Sequence, residues 1–141
     1  MGALPLFAAA IPREYAIPMG AVLFHLLFLQ WAAFQVGSSR RRLNKPYPIV
    51  CDPPPASQDE PKSLFNCYVR AQTNILENTF IYFGILAMSS LTTPVASGVA
   101  GILYTCSRVA YFQGYTTGDP RKRMRGNFGC TVSGIAPFAF S

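Results

Sequence analysis

The sequence predicts an all-α integral membrane protein, a four-helix transmembrane bundle whose fourth helix is short or truncated. Three observations support this. Half of the 141 residues are hydrophobic and only 13% are charged, which is too apolar for an ordinary soluble domain. The apolar residues gather into stretches at about residues 15–36, 64–91, 95–115 and 126–141, and the basic residues concentrate between them. We therefore expect one transmembrane domain over residues 1–141.

The first stretch has the composition of a complete span. It contains few polar residues and ends at three arginines, Arg40, Arg41 and Arg42. As a helix, residues 15–36 would rise about 33 Å, enough to cross a hydrocarbon core of about 30 Å. A polar segment follows, and consecutive prolines at 53–55 prevent the helix from continuing through it.

The remaining stretches are separated by residues that break helices. Residues 92–94 form the second connection, in which Pro94 suits the first turn of a helix. Gly118, Asp119 and Pro120 end the third stretch. The fourth stretch would rise only about 24 Å, and Pro137 interrupts it, so we expect a short span there.

The net charge of +6 is explained by membrane topology. In a four-span protein the basic segments after the first and third spans lie on the same side, whereas residues 92–94 carry no charge. The positive-inside rule places the basic segments in the cytosol. Nucleic-acid binding is disfavoured, because the basic residues adjoin spans and do not form a basic face on a folded domain.

The cysteines and the single histidine do not predict a metal centre. Cys51, Cys67, Cys106 and Cys130 are scattered without the spacing of metal ligands, and His25 is the only histidine. Neither a zinc site nor a catalytic cysteine–histidine pair is expected.

The chemistry is concentrated in polar residues inside the spans. Four of them share an arc of about 80° on the second span: Asn66, Arg70, Asn74 and Glu77. Four more share about 60° on the third: Tyr104, Arg108, Tyr111 and Tyr115. Because ionisable groups in a membrane need a partner or an aqueous cavity, we expect the two stripes to meet around a polar, anionic ligand.

A structural alternative accounts for some of the same residues. Glu77 could form a buried ion pair with Arg70 or Arg108 that only holds helices together. The polar residues outnumber what one pair needs, and they lie towards the cytosolic ends, where a polar ligand could enter.

Two long motifs resemble a known family. Residues 65–77, FNCYVRAQTNILE, resemble the second-helix signature of the MAPEG superfamily, closest to the type-three branch of the microsomal glutathione S-transferases. Residues 108–120, RVAYFQGYTTGDP, followed by Lys122 and Arg123, are similar to the third-helix end of that branch and of leukotriene C synthases.

The resemblance implies a membrane-bound glutathione transferase or peroxidase. Such an enzyme conjugates glutathione to lipophilic electrophiles or reduces lipid hydroperoxides, with glutathione as co-substrate and no metal. It implies a homotrimer in the endoplasmic reticulum or another organelle membrane, with glutathione bound between subunits on the cytosolic side. The alternative is a non-catalytic MAPEG-like protein that binds lipid or is a structural subunit of a larger membrane complex.

The resemblance also implies roles for individual residues. The expected glutathione ligands are Arg40, Arg70, Gln72, Asn74, Glu77, Tyr111, Tyr115 and Lys122. Arg123, about two turns beyond Tyr115, would stabilise the thiolate, and Tyr111 would donate a hydrogen bond to it. The chemistry agrees, since glutathione carries two carboxylates and one ammonium. Alternatively, residues 121–125 only set the topology and bind lipid headgroups.

Overall fold

Three α-helices make up most of the described chain. The computed structural model describes residues 12–53 and 63–117, and no strand occurs in these ranges. A 3₁₀ turn, Arg13–Tyr15, is followed by α1 (Ala16–Arg42), α2 (Leu64–Ser90) and α3 (Pro94–Tyr115). The predicted all-α class is confirmed for this part of the chain. The expected fourth span, residues 126–141, lies outside the described residues.

Helix α1 is longer than the apolar stretch that predicts it. Its 27 residues continue beyond residue 36 to Arg42, so the arginine run lies in the last turn. Positive charge there is favourable, because the unpaired carbonyls give a helix C-terminus a partial negative charge. The helix ends where Asn44 adopts a positive φ of 48°, a conformation that asparagine tolerates better than most residues.

Helices α2 and α3 form a hairpin with a very short connection. Residues 91–93 join them, and Pro94 occupies the first turn of α3, where its missing N–H is no loss. All three helices pack against one another. One core cluster lies towards the arginine end of α1 and includes Phe28, Ile75 and Phe112, while a second, towards the other end, includes Tyr82 and Tyr104.

Glycine permits the closest approach between α1 and α3. A Cβ atom at Gly98 would lie 2.6 Å from the backbone nitrogen of Pro18 and 2.6 Å from Cγ2 of Ile17. One turn later, a Cβ atom at Gly101 would meet the Tyr82 hydroxyl at 3.0 Å. The hairpin therefore packs against the start of α1 at a distance that a larger residue would increase.

The outer surface of the bundle is apolar. Large side chains such as Phe34, Phe80 and Met88 are exposed, as expected for a surface in contact with lipid. Among the described residues, one helical segment, Arg13–Arg42, is long and apolar enough to cross a membrane by length and composition. Helix α2 contains charged residues, among them Arg70 and Glu77, and α3 contains Arg108.

Candidate functional site

The charged face of α2 points away from the other two helices. Ala71 and Ile75 are buried in the core that α2 shares with α1 and α3, whereas Arg70 and Glu77 are exposed. The apolar side of α2 occupies the interior because burying it stabilises the bundle, while burying a charged side chain is costly. Two turns of a helix thus present a guanidinium and a carboxylate outwards.

Within residues 12–53 and 63–117, Glu77 forms no ion pair. The ion pair in these ranges joins Lys45 to Asp52. The buried ion pair of Glu77 with Arg70 or Arg108 is therefore not found in this part of the chain. Gln72 and Asn74 are half-buried, and the backbone carbonyl of Asn74 accepts a 2.8 Å hydrogen bond from the Asn78 amide.

The polar stripe of α3 runs from the bundle interior to the end of the helix. Tyr104 and Arg108 are buried, whereas Tyr111 and Tyr115 are half-buried, with ring centroids 5.7 Å apart. The predicted meeting of the two stripes around a ligand does not occur around an interior cavity in the described part of the single chain, and a meeting between subunits stays a prediction. The charged stripe of α2 lies outside, and the α3 stripe begins inside.

Arg40 is held by the loop that follows α1. Its Nη1 donates hydrogen bonds to the carbonyl oxygens of Ile49 (2.6 Å) and Lys45 (3.4 Å). Its guanidinium also lies 4.4 Å from the ring centroid of Tyr47 and 5.0 Å from that of Phe65. In the single chain this arginine fixes the path of the loop, and its predicted contact with glutathione stays a prediction.

Asp52 joins the same loop to the start of α2. Its carboxylate forms a 2.7 Å ion pair with Lys45 and accepts a hydrogen bond from the Ser63 hydroxyl. Its backbone N–H and C=O bind the side-chain amide of Asn66 at 2.7 and 3.0 Å. The hydrogen bond from Lys45, followed by that from Ser63, lowers the pKa of Asp52 below its ordinary 3.8. Asn66, grouped by periodicity with the ligand stripe, binds the loop instead.

His25 ties the three helices together in the middle of the bundle. It is 1% exposed, its Nδ1 lies 3.1 Å from the Thr105 hydroxyl oxygen, and its Nε2 lies 3.3 Å from that of Thr79. Its ring centroid is 4.4 Å from that of Tyr82. The sequence interpretation gave this histidine no role. The sequence feature that could have indicated its role is a lone imidazole inside an apolar span, because such a group requires hydrogen-bond partners on neighbouring helices.

The structure brings together some of the predicted site residues and separates others. Tyr111 and Tyr115 form one group, and Arg70 and Glu77 share one outward face, whereas Arg40 is engaged by its loop. Lys122 and Arg123 lie outside the described residues. A cation, a carboxylate and two phenols therefore lie on or near the bundle surface, where a second molecule can reach them.

One comparison with known proteins bears on this arrangement. The family model of the MAPEG family matches residues 17–139 of the chain. The match includes all three α-helices, apart from the first residue of α1, together with every predicted site residue.

Proposed function

The chain belongs to the MAPEG family, and on that premise we propose that it is a glutathione transferase or glutathione-dependent peroxidase of the type-three branch. The family is membrane-associated and includes glutathione transferases and related enzymes. The proposed reactions are conjugation of glutathione to a lipophilic electrophile and reduction of a lipid hydroperoxide.

The observation that carries the proposal is the outward polar face of α2. Arg70 and Glu77 are exposed on a helix whose other exposed residues are mainly apolar, such as Phe80 and Met88. Glutathione offers a carboxylate for Arg70 and an ammonium for Glu77, so both charges would gain a partner. A tripeptide with both charge signs fits this face better than a purely apolar lipid does.

We further propose that the site is completed by a second copy of the chain. Charges on the outside of a transmembrane helix are costly when they face lipid, and those of α2 have no ion-pair partner in the described part of their own chain. Packing against a neighbouring subunit would remove that cost and enclose glutathione between subunits. A homotrimer in the endoplasmic reticulum membrane is the arrangement we propose.

The proposed chemistry starts from the glutathione thiolate. A free thiol has a pKa of about 8.5, so about a few per cent is ionised at neutral pH. In the transferase reaction the thiolate sulfur attacks an aryl halide, the carbon–sulfur bond forms, and halide leaves with the bonding electrons. In the peroxidase reaction two glutathione molecules reduce one hydroperoxide to an alcohol and water and become one disulfide. Tyr111 would donate a hydrogen bond to the sulfur, and Arg123 or Lys122 would stabilise its charge.

The experiment is a turnover assay on purified protein in detergent or lipid, with an aryl halide and, separately, a fatty-acid hydroperoxide. We expect glutathione-dependent product formation that Glu77→Gln lowers by about tenfold or more, since it removes the partner of the ammonium. Ser90→Ala, at the C-terminal end of α2, is the matched control. Folded protein that binds glutathione but turns over neither substrate would favour the non-catalytic lipid-binding or structural alternative.

A further inference from the structure

Arg108 is a buried cation that the reaction proposed above does not use. Its side chain is 3% exposed, and no carboxylate within residues 12–53 and 63–117 pairs with it. Removing a guanidinium from water is costly unless other groups stabilise it. The contacts that replace its hydration therefore indicate what the charge does.

One side of the Arg108 guanidinium is fixed by a rigid aromatic stack. Its Nε donates a 3.1 Å hydrogen bond to the Tyr104 hydroxyl. The Tyr104 ring is stacked on Tyr82, with centroids 4.8 Å apart and planes 12° apart. The Tyr82 hydroxyl in turn donates to the Gly101 carbonyl oxygen at 3.3 Å. Residues of α2 and α3 therefore determine where the charge lies.

The other side of the guanidinium faces the proposed reaction centre. Its Cζ lies 5.4 Å from the centroid of the Tyr111 ring, one helical turn towards the end of α3. A cation at this distance from an aromatic ring is attracted by the ring quadrupole and so restricts the orientation of the ring. Its charge also draws electron density from the phenol, which makes the O–H a stronger hydrogen-bond donor.

We propose that Arg108 is a positioning residue for Tyr111, holding the phenol and strengthening the hydrogen bond that it donates to the glutathione thiolate. The inference rests on the proposed function. Arg108 lies against the Tyr111 ring, so we expect its effect on the thiolate to pass through the phenol. Tyr104 acts on Tyr111 indirectly, because its hydroxyl holds the Arg108 guanidinium in place.

Other titratable groups surround this pair and bear on the design of the test. His25 from α1 and Tyr82 from α2 pack against Tyr104, and Tyr115 on α3 packs against Tyr111. Each of these groups can affect the pH dependence of thiolate formation independently of Arg108. A comparison made with and without the Tyr111 hydroxyl removes their contribution, since they are the same in both backgrounds.

The test is a double-mutant cycle on the full-length protein saturated with glutathione, with thiolate ultraviolet absorbance followed against pH. Arg108→Gln should raise the midpoint of thiolate formation by about one pH unit, which lowers the thiolate fraction by up to about tenfold at pH values below the wild-type midpoint. In a Tyr111→Phe background the same substitution should produce little further shift. Arg41→Gln, at an exposed arginine outside the proposed site, should leave the midpoint unchanged.

A second variant keeps the test decisive if Arg108→Gln does not fold. Tyr104→Phe removes the acceptor of the Arg108 hydrogen bond and should raise the midpoint by a smaller amount, again only when Tyr111 is present. Equal shifts with Tyr111 and with Phe at that position would overturn the inference. Wild-type protein that binds glutathione without forming thiolate would instead overturn the proposed function.

Discussion

At the scale of single residues, sequence periodicity identified the polar groups but not the directions in which they point. Arg70 and Glu77 share a helix face, as predicted, but that face lies on the outside of the single chain, because the apolar side with Ala71 and Ile75 enters the core. The partners of His25 on the other two helices could not be predicted from periodicity either. Its two ring nitrogens lie against the hydroxyls of Thr79 and Thr105, whose oxygens also lie 2.9 and 3.0 Å from carbonyl oxygens of their own helices. A neutral imidazole has one N–H, so one threonine must turn its proton towards the ring.

The first prediction concerns Arg70. Replacing it with alanine should weaken glutathione binding by about 2 to 4 kcal/mol, because a ligand carboxylate loses its partner in a secluded site. Folding of the single chain should change little, since Arg70 is exposed there. Isothermal titration calorimetry measures the affinity, and Thr73→Ala, an exposed neighbour on the same helix, is the control. Unchanged affinity together with loss of folded protein would mean that Arg70 is structural.

At the scale of elements, the helix starts and ends follow local rules and were largely readable. Pro94 begins α3, and the arginine run closes α1. The hydrogen bonds between Asp52 and Asn66 could not be predicted, because the two residues are 14 positions apart and the sequence between them has no periodic pattern. The same holds for Gly98, whose close contact with α1 depends on how the helices pack.

The second prediction tests that helix contact. Gly98→Ala should lower the free energy of unfolding by about 1 to 3 kcal/mol, because its Cβ would collide with the backbone of α1. Gly84→Ala is the matched control on α2, where a Cβ would meet nothing within 4 Å. It should be neutral or slightly stabilising, since alanine favours the helix by up to about 1 kcal/mol. Unfolding in mixed micelles can be followed by the fluorescence of Trp31, the single tryptophan. Equal effects of the two substitutions would contradict the packing.

The third prediction concerns the ion pair of the loop and its pH dependence. Since folding lowers the pKa of Asp52 below 3.8, the carboxylate stabilises the folded loop above that value. The contribution is lost as the pH falls below 3.8 through the lowered pKa.

The NMR signal of the Asn66 side-chain amide, which binds the Asp52 backbone, reports this loss. It should stay constant from neutral pH down to about pH 4 and change below that. Lys45→Met removes the hydrogen bond that lowers the pKa of Asp52 most, so the transition should move to higher pH. A wild-type transition at or above 3.8 would contradict the account.

At the scale of the whole molecule, composition and charge distribution were enough to predict a helical membrane protein. They do not predict whether copies of the chain assemble, because assembly depends on the detailed shapes of the surfaces that would meet. The exposed charges of α2 are the observation from which we propose that a second copy of the chain completes the site.

The fourth prediction tests the orientation. Cys51 is exposed in the loop after α1, which the distribution of basic residues predicts to be cytosolic. A membrane-impermeant maleimide should therefore label it from the cytosolic side of sealed membranes, and Cys51→Ser should abolish the signal. Cys106 is also exposed on the bundle, but it lies within α3, where we expect lipid to shield it. Labelling of Cys51 only from the opposite side would reverse the topology.

The central claim is that the protein binds glutathione and ionises its thiol, and the thiolate absorbance of bound glutathione tests it most directly. Wild-type protein should develop a saturable thiolate band near neutral pH that a non-ionisable S-alkyl glutathione displaces. Arg123→Ala should diminish the band. A larger loss with Lys122→Ala would assign the stabilising cation to the neighbouring position. Wild-type protein that binds glutathione with no thiolate band would contradict the claim.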